Sequence, residues 1–409
     1  MKLLFFTPQL PYPPHQGTTI RNFNLIRHLA ANHKIDLVSF LAPGQRLTNE
    51  NPLHQYCKRI LTAPQPERRL AGRAWRALTD PLPDMALRLE SAEMRAIVNE
   101  LSMDYEIIQI EGIEMAQYGL QAAPDHSPKA EVHAHFDDHN CEYLLQKRNA
   151  VTDLQNPRRW VAGCYSVLQW WKLRHYEAAI CRQADIVTAV SAPDQEALQK
   201  LVPGKRVAVI ANGITPSDYS PRHLPSVHAP SAACNLLFTG KMDYRPNIDA
   251  ALWFGSTVFP LIQQAEPQAR FQIVGMNPHL RLDPLRTNSA IEITGAVESM
   301  APYLSTAALY VVPLRVGGGT RFKVLEAMAQ GLPIVSTTLG VEGIGVTHEQ
   351  ELLLADSAQH FADACIRLLQ DQHAGGALGV ALGARARDFV KARYSWTEIV
   401  PRLERLYAE

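Results

Sequence analysis

The chain has 409 residues, of which 46% are apolar and 20% are charged, the composition of an ordinary folded protein. Forty Lys and Arg residues balance forty Asp and Glu residues, which excludes a whole-molecule attraction to nucleic acid. No segment reaches the roughly 20 uninterrupted apolar residues that span a bilayer, and the six scattered cysteines lack zinc or disulfide spacing. We therefore expect a cytoplasmic protein of two domains, with reduced thiols and at most a peripheral membrane contact.

Short apolar segments alternate with amphipathic ones through the first half of the chain, which predicts a parallel sheet covered by helices. The predicted strands are 3–6, 35–41, 105–112, 130–136, 185–191 and 206–212, and the clearest helices are 19–31 and 158–183. The first domain is expected to cover residues 1–212. Residues 213–233 are rich in Pro, Ser and His and have no apolar periodicity, which predicts a linker.

The same alternation restarts after the linker and predicts a second doubly wound domain over residues 234–390. Its predicted strands are 235–240, 271–275, 291–295, 308–314 and 333–338, and its helices include 247–264 and 320–330. Open sheets of this kind bind ligands at the carboxyl ends of their strands. Residues 391–409 are expected to end in an amphipathic helix that packs across the domain junction.

A glycine-rich loop in the second domain is the strongest local signal. A buried strand ends at Leu314, three glycines follow at 317–319, and Thr320 is a good N-cap for the next helix. Free backbone N–H groups and the positive end of a helix dipole together favour a phosphate. The segment therefore predicts an anion site at the start of this helix.

Lys323 and Glu326 make this segment more specific than a general phosphate site. Lys323 lies in the first helical turn, where its ammonium group could neutralise a diphosphate, and Glu326 lies on the same face. A carboxylate beside a phosphate is repulsive unless it serves another group, and ribose hydroxyls are the obvious candidates. The alternative is a flexible turn followed by a surface ion pair worth a few tenths of a kcal/mol.

Several motifs in order carry a family resemblance: FTGKMDYRPN, FQIVG, ITGAVESM and GGGTRFKVLEAMAQGLPIVST. Through them residues 235–343 resemble the donor-binding domain of the retaining GT-B glycosyltransferases of family 4. The opening strand, loop and helix, the segment VIANGI and the terminal YSW are also similar to that family. The resemblance implies a GT-B α/β fold, two doubly wound Rossmann-like domains facing across a cleft. The first would be the acceptor side, and the second would bind the nucleotide sugar.

The resemblance also implies roles for residues of the second domain. Glu326 would hold the donor ribose, and Lys241 would pair with the diphosphate. Asn247 stands where the family has a second basic residue, so Arg321 or Lys323 would supply the missing charge. Without the resemblance, Lys241 is equally well interpreted as a solvated lysine at a strand end.

The sugar end of the donor site departs from the family. The family often has a glutamate eight residues before the ribose-binding glutamate, whereas this chain has Gly318. Contacts to the donor sugar are therefore expected from backbone N–H groups around Gly318, Gly319 and Thr320. The identity of the sugar and of the donor base, among UDP, GDP and ADP, stays open.

In the first domain the resemblance points to one glycine and one histidine. Gly17 matches a loop that lets the donor phosphate approach, although a simple turn is an equal interpretation. The family places a histidine beside the donor sugar, and His139 in HAHFDDHNCEY is its best match, followed by Asn140 and Glu142. Such an imidazole could bind the sugar and stabilise developing charge. The alternative functional histidines are His133 and His135.

The adjacent Asp137 and Asp138 raise the question of a metal. Enzymes that hold a diphosphate through a divalent cation commonly use Asp-x-Asp, and this triplet is absent from the chain. We expect neither a metal nor another cofactor, with Lys241, Lys323 and the helix dipole replacing the cation. The resemblance implies retention of the anomeric configuration, and the lack of paired carboxylates favours front-side attack over a covalent intermediate.

Two basic stretches that contain tryptophan suggest a peripheral contact with anionic lipid, which would suit a lipid-linked acceptor. The first stretch contains Lys58, Arg59, Arg68, Arg69, Arg73, Trp75 and Arg76. The second runs from 147 to 182 and contains Trp160, Trp170 and Trp171. The alternative is that these are solvated helix faces whose tryptophans pack into the core.

The sequence thus favours a hexosyltransferase that moves a sugar from a nucleotide-diphosphate donor to a glycan or lipid-linked acceptor. Its closest likeness is to sugar transferases of bacterial exopolysaccharide gene clusters, which implies a role in surface-polysaccharide synthesis. Two alternatives keep the fold: a sugar-nucleotide epimerase, which needs no acceptor, and a non-catalytic module that only binds the nucleotide sugar. The glycine at position 318 supports the module, and the joint presence of Lys241, Lys323 and Glu326 argues against it.

Overall fold

The structure, a computed structural model, describes residues 1–68, 70–101, 104–123, 132–155, 157–219, 234–317 and 322–409. The chain divides into two compact units, one formed by Met1–Asn212 with Ile399–Glu409 and the other by Gly213–Glu398. Each unit has its own parallel sheet. Among the described residues, no helix is both long enough and apolar enough to cross a bilayer.

The sheet of the first unit is buried on both faces, which is why its central strands are continuous apolar runs. Its strands are β1 Lys2–Thr7, β2 Lys34–Leu41, β3 Cys57–Pro64, β4 Ile107–Glu111, β5 His133–Asp138, β6 Ile186–Ala189 and β7 Ala208–Val209. Their spatial order is β3-β2-β1-β4-β5-β6-β7, and every neighbouring pair is parallel. The side of β1 on which successive strands are added therefore changes between β3 and β4. Open sheets bind ligands at such a switch point, here between the carboxyl ends of β1 and β4.

Eight α-helices of the described residues connect the strands of this sheet. They are α1 Gly17–Leu29, α2 Leu70–Thr79, α3 Asp84–Arg88, α4 Ala92–Asn99, α5 Ala116–Ala122, α6 Glu142–Leu154, α7 Trp160–Gln183 and α8 Ala192–Leu201. Helix α1 begins directly after the β1 loop, where the Gln16 N–H donates to the Thr19 hydroxyl at 3.0 Å. The N-terminus of α6 is capped by the buried Glu177 carboxylate, which accepts from the N–H groups of Glu142 at 2.8 Å and Tyr143 at 2.9 Å.

The second unit repeats the same architecture. Its strands are β8 Asn235–Thr239, β9 Arg270–Val274, β10 Ile291–Gly295, β11 Leu309–Val312, β12 Ile334–Ser336 and β13 Leu353–Leu354, in the order β10-β9-β8-β11-β12-β13. Its helices are α9 Arg245–Trp253, α10 Phe259–Ala265, α11 Ala301–Thr306, α12 Phe322–Gln330, α13 Ala358–His373 and α14 Ala377–Tyr394. The topological reversal lies between β8 and β11, so the ends of these two strands mark the expected ligand position.

A last helix, α15 Trp396–Ala408, follows α14 after Ser395. The boundary between the two units falls within it, because Ile399–Glu409 groups with the first unit. In the second unit Trp396 packs on Gly213, where an added Cβ would lie 2.5 Å from the indole ring. The amphipathic helix expected at the end of residues 391–409 is thus α15, which begins at Trp396.

The two parallel sheets confirm the predicted doubly wound α/β architecture, with local differences. Strand β3 was not predicted, because Lys58 and Arg59 interrupt its apolar pattern and we interpreted them as part of a basic surface stretch. The structure places both residues on an edge strand, where their side chains are exposed and Arg59 pairs with Asp36 at 2.8 Å. The helix predicted over 247–264 is broken into α9 and α10 by a π-helical turn at Phe254–Val258.

Candidate active site

At the end of β8, in the second unit, two backbone segments approach very closely. Gly275 follows β9 with φ +157°, and an added Cβ there would lie only 1.7 Å from the Gly240 carbonyl oxygen. No side chain fits at this point. The two backbone segments are therefore in direct contact just after β8, next to the Thr239 carbonyl that accepts from Lys323.

Lys323 lies in the first turn of α12, as predicted, and its ammonium group reaches the end of β8. The Nζ atom donates to the Thr239 carbonyl at 3.2 Å and to Asn247 Oδ1 at 2.8 Å. It also lies 4.4 Å from the centroid of the Phe238 ring. Asn247 in turn donates from Nδ2 to the Lys241 carbonyl at 2.9 Å. Lys323 is thus held as a positioned cation at the switch between β8 and β11.

Glu326 lies one turn further along α12 and is partly buried. Its Oε1 accepts a hydrogen bond from the Tyr219 hydroxyl at 3.1 Å. Burial raises the pKa of Glu326, while the Tyr219 hydrogen bond and the charge of Lys323 act in the opposite direction. Burial also raises the pKa of Tyr219, and the neighbouring Glu326 adds to that rise. The phenol is therefore a neutral donor to the carboxylate.

The remaining donor residues of the sequence analysis fall into two groups. Gly318, Gly319, Thr320 and Arg321 lie outside the described residues. Lys241 follows β8 as expected, but its side chain is 52% exposed and its Nζ lies 3.6 Å from Asp243 Oδ2. Lys323, Asn247 and Glu326 therefore lie together in the described part of this unit, and Lys241 contributes its backbone carbonyl to that group.

In the first unit, His139 lies just beyond β5 and contacts a buried acid at the end of β4. Its Nε2 lies 2.7 Å from Glu111 Oε2, and Glu111 is fully buried. Burial and the nearby Asp137 raise the pKa of Glu111, whereas His139 and Arg21 act in the opposite direction. Parallel strands place these residues together, because β4 and β5 are neighbours and their carboxyl ends meet at one edge.

Asp137 is paired with a buried arginine of the first unit. Arg21 of α1 binds it through two parallel hydrogen bonds of 2.7 and 3.0 Å, and both side chains are buried. Thr188 donates to its other face at 2.6 Å. Burial by itself would raise the pKa of Asp137, but the charges of Arg21 and His139 and the hydrogen bonds from Arg21 together hold the pKa far below its usual range. The buried neighbour Asp138 has its pKa raised by burial and by Glu177.

Glu111, Asp137 and His139 are also a group whose ligand atoms lie within 4.8 Å of one another, so their geometry could suit a metal ion. Both Asp137 oxygens are, however, already engaged by Arg21 and Thr188. A cation that used Asp137 would have to displace the guanidinium group or lie beside it. The chemistry of the set fits an ion-paired network better than a hard-cation site, which needs several free oxygens.

The structure separates the alternative residues of the first unit. His133 is exposed at the beginning of β5. His135 is buried between Gln109 and Thr188, at 2.5 and 2.8 Å, and burial lowers its pKa to about 4. Asn140 donates to Glu142 at 3.2 Å. Gly17 is the exposed first residue of α1. Of the three histidines, His139 is the one that combines partial exposure with a buried acidic partner.

Sequence reasoning missed the residues that surround the predicted ones. They are Arg21, Asn22, Gln109, Glu111, Tyr219 and Tyr407. For Gln109 and Glu111 a signal existed, because two polar residues interrupt the apolar strand IIQIE, and a buried polar side chain requires a partner. For Tyr219 and Tyr407 no local pattern distinguishes them from other aromatic residues, since their partners are remote in sequence.

Comparison with protein families decides the classification. A model described as glycosyltransferase family 4 matches residues 16–218, and one described as glycosyl transferases group 1 matches residues 233–371. The chain belongs to these glycosyltransferases. The family match of the second unit includes β8 and α12 with Lys323 and Glu326, and that of the first includes Glu111 and His139. The predicted family resemblance is thereby confirmed.

Curated relatives of this glycosyltransferase match over short segments. An uncharacterized 44.6 kDa protein in the cps region of Klebsiella pneumoniae is 25% identical over 156 residues, 35% of this chain and 40% of its own length. A GDP-mannose-dependent alpha-(1-6)-phosphatidylinositol monomannoside mannosyltransferase of Mycobacterium tuberculosis is 28% identical over 162 residues, 36% of this chain. The matched region spans only 41% of that relative's length.

Solved structures share the fold over the whole chain. HepE of Anabaena, crystallised in complex with UDP, is 14% identical with a TM-score of 0.66, and the match covers 100% of both chains. At this identity the likeness establishes the fold and nothing more. The glycosyltransferase has the predicted GT-B fold.

Proposed function

We propose that this glycosyltransferase moves a sugar from a nucleotide-diphosphate donor to a glycan or lipid-linked acceptor, with retention of configuration. The observation that carries the proposal is the placement of Lys323 and Glu326 on one face of α12 beside the end of β8. The first supplies a fixed positive charge to a diphosphate, and the second supplies a carboxylate to ribose hydroxyls. An α-helix spaces the two groups by one turn.

The donor is bound without a metal in this proposal. Lys323 is already held by the Thr239 carbonyl and Asn247, so it is ordered before the diphosphate arrives. An ordered cation loses little side-chain entropy when the ligand binds. As the glycosidic bond breaks, negative charge grows on the leaving diphosphate, and preorganised positive groups stabilise that charge most.

On the first unit, His139 is proposed to contact the donor sugar. Retention can arise in two ways. The acceptor attacks the sugar carbon from the same face from which the leaving group departs, or a carboxylate of the enzyme first forms a covalent intermediate with the sugar. The buried acids here are engaged: Asp137 by Arg21, and Glu111 by His139. This engagement supports front-side attack, and an inverted product by NMR would refute the proposal of retention.

A role in surface-polysaccharide synthesis is supported by one relative. The Klebsiella protein comes from a cps region, and the mycobacterial relative is named as a GDP-mannose-dependent enzyme acting on a phosphatidylinositol mannoside. The latter supports GDP as a donor base and a lipid-linked acceptor, whereas HepE, which shares the fold, was crystallised with UDP. The three diphosphates UDP, GDP and ADP therefore form the first test panel.

The test is the thermal unfolding of the purified chain with UDP, GDP and ADP, each with and without Mg²⁺. A diphosphate at 100 times its Kd should stabilise the protein by about 2.7 kcal/mol. We expect one diphosphate to raise Tm without Mg²⁺, and Glu326→Ala to reduce that rise. The matched control is Glu292→Ala, which removes an exposed carboxylate from β10 and should leave the rise unchanged. No shift with any diphosphate would refute the donor site.

A further inference from the structure

The carboxylate of Glu111, a buried acid at the end of β4, is within hydrogen-bond distance of three side chains. Its Oε1 accepts from Gln109 Nε2 at 2.8 Å, and its Oε2 faces His139 Nε2 at 2.7 Å. The Asn22 amide, in the orientation that satisfies its hydrogen bonds, donates to the same Oε2 at 2.7 Å and to the Thr18 carbonyl at 3.2 Å. Three side chains from α1, β4 and the β5 loop therefore converge on one carboxylate.

Gln109 is itself held by two further side chains, Tyr407 and His135. Its Oε1 accepts from the Tyr407 hydroxyl of α15 at 2.7 Å and lies 2.5 Å from His135 Nδ1. These groups are all buried. The amide of Gln109 is thereby held with its nitrogen toward Glu111. A glutamine fixed in this way restricts the carboxylate to one rotamer.

The two buried acids, Asp137 and Glu111, have different partners. Asp137 is neutralised by the bidentate contact with Arg21, and its Oδ2 lies 3.7 Å from His139 Nε2, beyond hydrogen-bond distance. Glu111 has no bond to Arg21 among the described residues, so its strongest polar contact outside the two amides is the imidazole. The Glu111 carboxylate therefore contacts His139, whereas the Asp137 carboxylate contacts Arg21 of α1.

We propose that Glu111 is a positioning residue that binds His139 through Nε2 and thereby presents Nδ1 to the donor sugar. The inference rests on the proposed function for the role of Nδ1. Among the described residues no hydrogen bond involves Nδ1. Gly112, with φ +83°, keeps its surroundings open, since an added Cβ would lie 3.7 Å from Nδ1 and 3.4 Å from Glu114 Oε2.

The histidine ring has two nitrogens, and the bond made by one decides what the other can do. When the Nε2–H donates a hydrogen bond to Glu111, Nδ1 is left to interact with a sugar hydroxyl or with developing positive charge at the sugar carbon. Without Glu111 the ring can rotate, and either nitrogen can face the substrate. The expected effect of its loss is therefore on the chemical step, with donor binding by the second unit retained.

The first experiment is spectroscopic and needs no substrate. The ring N–H resonance of His139 is observed in protein labelled with ¹⁵N-histidine and assigned by its absence in His139→Asn. We expect a slowly exchanging, hydrogen-bonded Nε2–H in the wild type that is lost or strongly shifted in Glu111→Gln. The control Glu106→Gln removes an exposed acid just before the same strand and should leave the resonance unchanged. An unaltered resonance in Glu111→Gln would overturn the inference.

The second experiment uses UDP-glucose or GDP-mannose, with water as acceptor and released diphosphate as the signal. Glu111→Gln should lower kcat about tenfold to a hundredfold, by analogy with the loss found when the partner that orients a metal-binding histidine is removed. KM for the donor should change less than about twofold. In a His139→Ala background the same substitution should have no further effect. Additive losses would show that Glu111 acts independently of His139 and would refute the positioning role.

The two experiments separate the inference from the proposed function. If neither sugar nucleotide is turned over but the resonance responds to Glu111→Gln alone, the pairing stands and the proposed reaction fails. If turnover occurs while Glu111→Gln leaves kcat unchanged, the reaction stands and the positioning role fails. Nucleotide-induced thermal shifts, measured on each variant, establish that the second unit remains folded.

Discussion

At the residue scale, Glu326 shares its carboxylate with the hydroxyl group of Tyr219. One oxygen is held at 3.1 Å from the phenol, which leaves the second for another ligand. A carboxylate that has one oxygen fixed is preorganised for a ribose, because fewer rotamers are lost when the ligand binds. Tyr219 comes from the segment that joins the two halves of the chain, far in sequence from α12.

We predict that Tyr219→Phe weakens binding of the diphosphate that gives the largest thermal shift by about two- to tenfold. The estimate is the usual net worth of one hydrogen bond, about 0.5–1.5 kcal/mol. Isothermal titration calorimetry measures the change. The control is Tyr303→Phe on α11, whose hydroxyl makes no hydrogen bond among the described residues. Unchanged or tighter binding in Tyr219→Phe would contradict the prediction.

Much of the candidate donor site could be predicted from local sequence, because Lys323 and Glu326 lie on one short helix with known periodicity. Their partners could not be predicted in this way. The distance from Lys323 to Asn247 is set by the parallel pairing of β8 and β11, and no window of the sequence contains both strands. His139 was chosen through a family motif, whereas Glu111 follows only from the pairing of β4 with β5.

At the scale of elements, the beginning of α6 concentrates buried acids. Burial raises the pKa of Glu142 to about 8, and Glu114 and Glu177 act in the same direction. Burial likewise raises the pKa of Glu177 to about 7. Glu177 caps the helix through two backbone N–H groups. Glu177 thus caps the helix N-terminus, although the pKa values of both Glu177 and the adjacent Glu142 are raised.

This arrangement predicts that the protein loses stability as the pH rises toward 8. An unfolded glutamate titrates near pH 4.3, so between about pH 4.3 and 8 the folded state holds a proton that the unfolded chain has released. Stability therefore falls over that window, by at most about 1.4 kcal/mol per pH unit for each proton. Above the folded pKa the loss is complete.

Glu142→Gln should flatten this decline, because the amide does not titrate. The measurement is Tm between pH 5 and 9 for the wild type and the variant. Glu93→Gln, an exposed acid in the first turn of α4, is the control and should follow the wild-type curve. If Glu142→Gln also follows the wild-type curve, Glu142 is not the group responsible.

The predicted elements agree best where a strand is buried on both faces, as in β1, β8 and β11, since a continuous apolar run is then required. They agree least at sheet edges. Strand β3 carries exposed basic residues, and β7 and β13 have two residues each, too short for any periodicity. Gly255 and Pro260 lie at the break between α9 and α10, but these two residues did not by themselves distinguish a π-helical turn from a continuous helix.

At the scale of the whole molecule, three tryptophans of α2 and α7 are exposed, which contradicts the alternative that the tryptophans of the basic stretches pack into the core. Trp75 is 69% exposed, Trp160 60% and Trp171 58%, whereas Trp170 is partly buried under Lys147. The basic residues around them are less available than the sequence suggested. Arg68 pairs with Asp84, Arg76 with Asp80 and Glu90, and Arg159 with Asp153. Arg69 and the Arg73 side chain lie outside the described residues.

We therefore propose that any membrane contact of this surface depends on its tryptophans more than on its charge. Phosphatidylglycerol vesicles should sediment the wild type, and Trp160→Ser with Trp171→Ser should lower the partition coefficient at least about tenfold. Removing one buried apolar side chain accounts for 1.5 kcal/mol or more, which exceeds tenfold. The control is Leu280→Ser, an exposed apolar residue of the second unit.

Comparison of lipids makes this prediction refutable. Phosphatidylcholine vesicles should recover less of the wild type than phosphatidylglycerol vesicles do, because exposed Lys147, Arg174 and Arg182 still favour an anionic surface. Equal recovery of the wild type and the double tryptophan variant would contradict the tryptophan contact. Equal recovery with the two lipids would contradict the electrostatic part.

The division of the chain has a consequence for biosynthesis. Ile399–Glu409 belongs to the first unit, and Tyr407 donates the hydrogen bond that orients Gln109 behind Glu111. The ribosome makes Gly213–Glu398 in between, which takes about 10–40 s at 5–20 residues per second. During that interval the nascent first unit exists without its last helix. The environment of His139 is therefore completed only after the second unit has been synthesised.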